Sequence, residues 1–397
     1  MIPNGEKEMR ITKLVIFVIL LNLFVTACGK GTPKQNTPVE PNLSPVGLLG
    51  AYYFPRAWSN DNLRQKLIPP QTPAIDNYDC RADATIKQHL EWANKTGIDF
   101  FVIQWWGQAT NSDITIKQYL GPYLEHNKNP TKFCISYLTP YIHQTVNYET
   151  SLDNNSEAKL LVNLLYIAST YFKHPNYLRI NNRPVVFLYL SRLLKCDYAK
   201  TFNRIRTIIK RDTKEDIYLI GDEIFWSEPN RDRIAQLDAI TVSTMYGPDR
   251  YAGYAGETGF LKDIATVFAK YKKLADELKI GFIPNVMPGF NDHAIPGQGR
   301  VPFQENHYII PRGFSLADKS EGSFYHAYFR IAKKYLAPPL NIAIINSWND
   351  WREDTQIEPT KTSTLFTKQP KELTGDYDYG AYGEKYLTIT REEKTSK

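Results

Sequence analysis

A chain of 397 residues has room for two average domains or for one α/β barrel with insertions. Its net charge of +6 is spread along the chain without a basic block or an aromatic-basic repeat, which argues against a nucleic-acid binder. Aromatic residues make up 13% of the sequence, and many stand beside Gly, Pro or Asn, so they either pack a Tyr-rich core or present flat faces to the C–H faces of sugars.

The chain opens with a short segment carrying Lys7, Arg10 and Lys13, followed by the apolar run of residues 14–25. That run is too short to cross a bilayer comfortably and has the length of a signal-peptide core. It ends in Val25-Thr26-Ala27-Cys28, which resembles a bacterial lipobox in which Cys28 becomes the lipid-modified first residue; a plain cleaved signal ending near a Cys is the alternative. Residues 1–27 therefore read as a signal peptide. Residues 28–46, rich in Gly, Thr, Pro, Asn and Lys, read as a flexible tether of at most ~60 Å. The expected location is the bacterial cell envelope, lipid-anchored to a membrane. Cys80, Cys134 and Cys196 are odd in number and lack CxxC spacing, so they indicate neither zinc nor a disulfide framework.

A globular part is expected over residues 47–392, with a charged tail at 393–397. In chain order, apolar runs of strand length fall at Leu48–Phe54, Phe100–Trp105, Phe133–Leu138, Pro184–Leu190, Ile217–Ile220, Ala239–Met245, Phe282–Met287 and Ile342–Trp348. Helical patterns follow them at Ala84–Lys95, Ile114–His126, Glu157–Phe172, Tyr198–Lys210, Arg231–Gln236, Gly259–Leu278, Gly322–Leu336 and Gly383–Glu392. Strands alternating with helices indicate a parallel sheet, and eight repeats are the number that closes a single (β/α)8 TIM-type barrel.

Active sites of such barrels lie at the C-terminal ends of the strands. The residues there are Tyr52, Tyr53 and Pro55; Gln104, Trp105 and Trp106; Tyr137, Thr139, Tyr141 and His143; Tyr189; Asp222 and Glu223; Tyr246; Asn285 and Asp292; and Asn349, Asp350 and Glu353. Converging rings, amides and carboxylates suit sugar hydroxyls and sugar faces. Asp222 and Glu223 fit hydroxyl binding or helix capping equally. The seven His show no HxH or HExxH spacing, so neither a metal nor another cofactor is expected.

The most informative segment follows the eighth run: Asn346-Ser-Trp-Asn-Asp-Trp-Arg-Glu-Asp-Thr-Gln-Ile-Glu-Pro359, with four carboxylates between positions 350 and 358. A helical turn there would set Asp350 and Glu353 side by side, Cβ atoms roughly 5–6 Å apart. That spacing favours a retaining over an inverting glycosidase, and mutual repulsion would raise the pKa of one acid toward neutrality. A solvated helix start is the bland alternative, made less attractive by Trp348 and Trp351. Glu358 reads as a residue that fixes the loop.

This segment resembles the WNEWxExxxxEP signature of glycoside hydrolase family 99, the endo-α-1,2-mannosidases and mannanases, and of the related WbsX-like proteins. Gly50-Ala-Tyr-Tyr-Phe-Pro55, Gln104-Trp-Trp-Gly107, Arg183-Pro-Val-Val-Phe-Leu-Tyr189 and Met287-Pro-Gly-Phe-Asn-Asp292 agree in order. The resemblance implies a metal-free (β/α)8 barrel acting with retention on internal α-mannosidic linkages through a 1,2-anhydro sugar. Asp350 would take the proton of the sugar 2-OH; Glu353 would protonate the leaving oxygen and then activate water. Trp105 or Trp106 would stack on a sugar, and Tyr189 and Tyr246 would line the subsite of the reacting ring, with Tyr53, Asn349 and Trp351 as further substrate contacts. Asp350 stands where the family usually has Glu, and Arg352 where His is common. The expected partners are a polysaccharide or oligosaccharide and the membrane, with the chain a monomer. The competing readings are a glycan-binding lipoprotein without turnover and a WbsX-like transferase; the latter lacks a DxD motif at a strand end.

Overall fold

The computed structural model describes residues 45–56, 62–139, 150–151, 154–245, 259–295, 309–313, 320–338, 340–362 and 366–396. The signal segment, Cys28, the tether up to residue 44, Tyr141, His143 and Tyr246 lie outside the described residues.

Nine parallel segments carry the sheet: β1 (Leu48–Tyr53), β2 (Phe100–Trp105), β3 (Lys132–Leu138), β4 (Arg183–Tyr189), β5 (Tyr218–Asp222), β6 (Ala239–Thr241), β7 (Gly281–Phe282), β8 (Asn285–Val286) and β9 (Ile342–Ile345). They pair in the order β7-β6-β5-β4-β3-β2-β1-β9-β8. The two ends of this ladder are one stretch of chain, since only Ile283 and Pro284 separate β7 from β8. Ile283 N–H donates to Ile240 C=O at 2.9 Å on one side, while Pro284 C=O accepts from Ile344 N–H at 3.1 Å on the other. Lacking an N–H, Pro284 interrupts the strand but keeps its acceptor. The eight expected runs are thus the eight strands of a closed barrel, the seventh in two pieces.

Among the described residues the helices around the sheet are α1 (Asp83–Thr96), α2 (Asn111–Thr115), α3 (Gly121–His126), α4 (Asn154–Tyr171), α5 (Tyr198–Thr213), α6 (Arg231–Ile234), α7 (Phe260–Leu278), α8 (Ser323–Lys333) and α9 (Lys385–Thr395), with two further short helices at Leu63–Lys66 and Lys371–Thr374. Between α2 and α3 the chain widens into a π-turn over Ile116–Leu120. Pro122 follows and cannot donate an i→i−4 bond, which is where a widened register costs least. Asp197 caps α5 by accepting from Lys200 N–H at 3.1 Å, and Asn230 caps α6 by accepting from Arg233 N–H at 3.0 Å. The expected charged tail is corrected at its start: Glu393 belongs to α9 and is buried in an ion pair with Lys333 at 2.7 Å.

Strand residues alternate between the barrel interior and the helix layer. A Cβ on Gly50 would meet the Phe100 ring and Ile344, and the Tyr52 ring lies 6.2 Å from that of Phe187, two strands beyond the neighbouring β2. Gly50, Tyr52, Phe100 and Phe187 therefore face inward. By parallel register Gln104 pairs with Ser136, Ser136 with Phe187, and Leu138 with Tyr189, which puts Gln104, Ser136 and Tyr189 inward too. Tyr53, Trp105 and Tyr137 face outward.

Candidate active site

At its C-terminal mouth the barrel interior changes from apolar to polar. Tyr52, Gln104, Ser136, Tyr189 and Asp222 succeed the Phe, Val and Ile side chains deeper down. Burial pushes the Tyr52 phenol well above its ordinary pKa, and the Asp222 charge adds to it. Asp222 accepts from Leu190 N–H at 3.0 Å, Ser243 O–H at 2.8 Å and Arg192 at 2.9 Å, tying the ends of β4, β5 and β6 together. Glu223 faces elsewhere, taking Ser191 O–H at 2.6 Å and Arg233 at 2.8 Å. Neither acid caps a helix.

The segment after β9 folds back on itself as a loop, with residues 351–354 in a turn. Ser347 N–H donates to Thr355 C=O at 2.8 Å, Glu358 N–H to Trp348 C=O at 2.9 Å, and Thr355 N–H to Asp350 C=O at 3.2 Å. Asp354, at φ 50°, takes the left-handed conformation that turns the chain. The Asp350, Asp354 and Glu358 carboxylates meet different partners.

Asp350 is buried and paired with Arg56, Nη2 to Oδ1 at 3.2 Å; its own N–H is held by Ser347 Oγ at 2.8 Å. Glu353 is half-buried, and its carbonyl accepts from Asn291 N–H at 2.8 Å, linking it to the loop after β8. Asp354 is fully buried between Arg64 at 2.7 Å and Arg312 at 3.3 Å. Burial alone would raise its carboxyl; the charges of Arg312 and Arg64 outweigh that and hold it below the usual range. Glu358 receives Trp351 Nε1–H at 2.7 Å, Tyr78 O–H at 2.8 Å and His89 Nε2 at 2.9 Å, fixing the loop as its position suggested.

Four expected substrate contacts have other occupations. Tyr53 is buried on the outer face with its hydroxyl 3.1 Å from His89 Nδ1. Trp105 is 0% exposed, donates to Asp113 at 3.0 Å and packs between Tyr137 and Tyr166. Both misplacements come from a single step of strand register: in a period-2 element one residue moves a side chain to the other face. Asn349 binds the Phe54 backbone with both ends of its amide, accepting from the N–H at 2.8 Å and donating to the C=O at 3.0 Å. The Trp351 indole is buried against Glu358.

Tyr189 is half-buried at the inward end of β4, and Trp106 is 39% exposed. Trp106 lines a cavity of about 260 Å³ together with Phe54, Pro55, Arg56, Thr110, Asn111 and Ser112. Gln104 and Ser136 stand out as polar members of inward-facing parity in otherwise apolar strands, a signal the sequence carried. Arg64, Arg312 and His89 carried none, because their partners lie 290, 42 and 269 residues away.

A glycoside hydrolase-like protein superimposes with a TM-score of 0.66 at 19% identity, over 93% of this chain and 98% of its own. The family 99 endo-alpha-mannosidase of Bacteroides thetaiotaomicron superimposes with TM-scores of 0.60 in complex with bis-tris propane and 0.58 in a second structure. These are 21% and 20% identical over 87% and 88% of this chain, and 95% and 98% of theirs. At such identities the likeness establishes the fold. Membership comes from the sequence match to the glycosyl hydrolase family 99 model, which runs over residues 54–396, so that the chain belongs to this family and is a glycoside hydrolase acting on carbohydrate.

Proposed function

We propose that the protein is a retaining, endo-acting hydrolase of α-linked glycans, α-mannosides among them, with Asp350 and Glu353 as its catalytic pair. In the first step Asp350 accepts the proton of the sugar 2-OH while O2 attacks C1. The glycosidic bond breaks and Glu353 protonates the departing oxygen, leaving a 1,2-anhydro sugar. In the second step Glu353 takes a proton from water, the water oxygen opens the ring at C1, and Asp350 returns its proton to O2. Two inversions at C1 give net retention.

The observation that carries this reading is the position of Asp350. It is a buried carboxylate at the mouth end of the last barrel strand, within the family match, held by Ser347 and Arg56. Glu353 follows in the same loop and is anchored through its carbonyl. The test is product analysis on α-mannans and bacterial capsular glycans, following anomeric configuration by NMR. Glu353→Gln should abolish oligosaccharide release while keeping glycan affinity, and release with inverted configuration would overturn the mechanism.

The Arg56–Asp350 pair also favours a second reading, a glycan-binding protein without turnover, because Asp350 Oδ1 is already engaged by a guanidinium at 3.2 Å where a sugar 2-OH would have to meet it. Glycan binding with no release from any substrate would establish it. We further propose that Cys28 carries the lipid that anchors the chain in the bacterial envelope, with residues 28–46 as tether. Membrane fractionation of wild type and Cys28→Ala tests this.

A further inference from the structure

The geometry points to the cavity between the loops after β1 and β2 as a subsite for an anionic substituent on the glycan, a carboxylate, sulfate or phosphate, bound by Arg56 beside the exposed face of Trp106. This rests on the glycan-hydrolase reading for the site's purpose and adds the charge class of its substrate.

Three features support it. Arg56 gives one N–H to Asp350 at 3.2 Å, and its side chain is 36% exposed against 6% for its partner. A guanidinium carries five N–H donors, and among the described residues no second acceptor takes one. Arg56 stands in the wall of a cavity of about 260 Å³. The Phe54 ring lies 4.8 Å from its central carbon, which fixes the plane of the fork.

The rest of the wall adds one amide donor. Asn111 Oδ1 accepts from Arg81 Nη2 at 2.9 Å, which orients the amide so that its NH₂ is the end left for a ligand. Thr110 O–H is directed to Gly107 C=O at 2.7 Å, and Ser112 Oγ accepts from Trp106 N–H at 3.0 Å and donates to Thr110 Oγ1 at 3.0 Å, so both hydroxyl protons are spent within the wall. Arg81 lies behind this wall as a second cation, also donating to Thr115 at 3.2 Å. A half-exposed guanidinium beside an amide NH₂ matches a group that only accepts hydrogen bonds, and charge-assisted bonds from a guanidinium are about twice as strong as neutral ones. A neutral hydroxyl uses the same donors less well. Trp106, 39% exposed, supplies the sugar-face contact that keeps the site a glycan site rather than a bare anion hole.

The test is calorimetric binding to the full chain carrying Glu353→Gln, so that no ligand is cleaved, using α-linked oligosaccharides matched in length. One set is neutral; the others bear a uronic acid, a sulfate ester or a phosphate ester. At least one acidic set should bind about 10-fold tighter than the neutral set at low salt, with the preference shrinking as salt rises. Which acidic set wins identifies the substituent. Adding Arg56→Gln should remove the preference, the acidic and neutral sets then binding alike, while Arg56→Lys should keep part of it. Equal binding of neutral and acidic glycans, no binding of any acidic glycan, or a preference that survives Arg56→Gln would each overturn the subsite. Product release by the wild-type chain is measured in parallel. Absence of release with the preference intact removes the hydrolase reading and leaves the subsite standing.

Discussion

Trp351 donates its indole N–H to Glu358 at 2.7 Å, and through that bond the loop bearing Asp350 and Glu353 is fastened to the outer wall of the barrel. The same carboxylate takes the Tyr78 hydroxyl and His89 Nε2. With three donors converging on an acceptor-only group, His89 carries its proton on Nε2, and Nδ1 is left to accept from Tyr53 O–H at 3.1 Å. Neighbouring rings of Trp92 and Trp348 seal the network from water.

Glu358→Gln should therefore weaken the fold and the reaction together. The amide offers one acceptor where the carboxylate offered two, leaving a buried donor without a partner at a cost of about 1–3 kcal/mol. Urea unfolding should show this loss. Glycan release should fall mainly in kcat, because the loop is misplaced while the sugar contacts persist; an unchanged midpoint would mean the network is not structural.

Asp354 makes a pH-dependent prediction. Its folded carboxyl is held below the unfolded value of about 3.9, so its contribution is fully present above that pH and is lost as pH falls through the lower folded value. Wild type should thus lose stability below about pH 4, and Asp354→Asn should flatten this part of the curve. At neutral pH the same change leaves Arg64 and Arg312 buried without their counter-charge, which should cost about 3–5 kcal/mol. Chemical denaturation at several pH values reads both effects.

The two adjacent tryptophans should respond in opposite ways. Trp105→Ala removes a fully buried ring and should cost about 3–5 kcal/mol of stability. Trp106→Ala, on an exposed ring, should shift stability by no more than about 0.5 kcal/mol while weakening glycan binding. Thermal melts with glycan titrations check this. A stability loss centred on Trp106 would mean that the strand parity is wrong.

Gly50→Ala should destabilise by about 1–3 kcal/mol, since the added methyl would come within 2.4 Å of the Phe100 ring and 2.9 Å of Ile344. Denaturant unfolding measures it, and a neutral result would show that the barrel floor has slack.

Local sequence marks out the eight strands, the helical patterns between them and the acid-rich loop for which we propose the chemistry. Those rest on local signals: apolar runs of strand length, 3.6-residue periodicity, and one dense stretch of acids and tryptophans. Residues 100–105 form β2 at the bounds their composition suggested. The seventh run was visible as one strand, although only its two sets of partners reveal why Pro284 splits it.

Tertiary structure alone decided which way side chains point and what each acid meets. Tyr52 and Tyr53 are chemically the same and adjacent, yet closure of the barrel sends the first inward and the second to His89. Asp350, Glu353, Asp354 and Glu358 share one short segment, but Arg56, Asn291, Arg64, Arg312 and His89 reach them from distant parts of the chain. Local propensity acts over a few residues and fixes where an element forms. Register, face and ion pairing depend on groups brought together only when the cylinder closes, and so no local pattern records them.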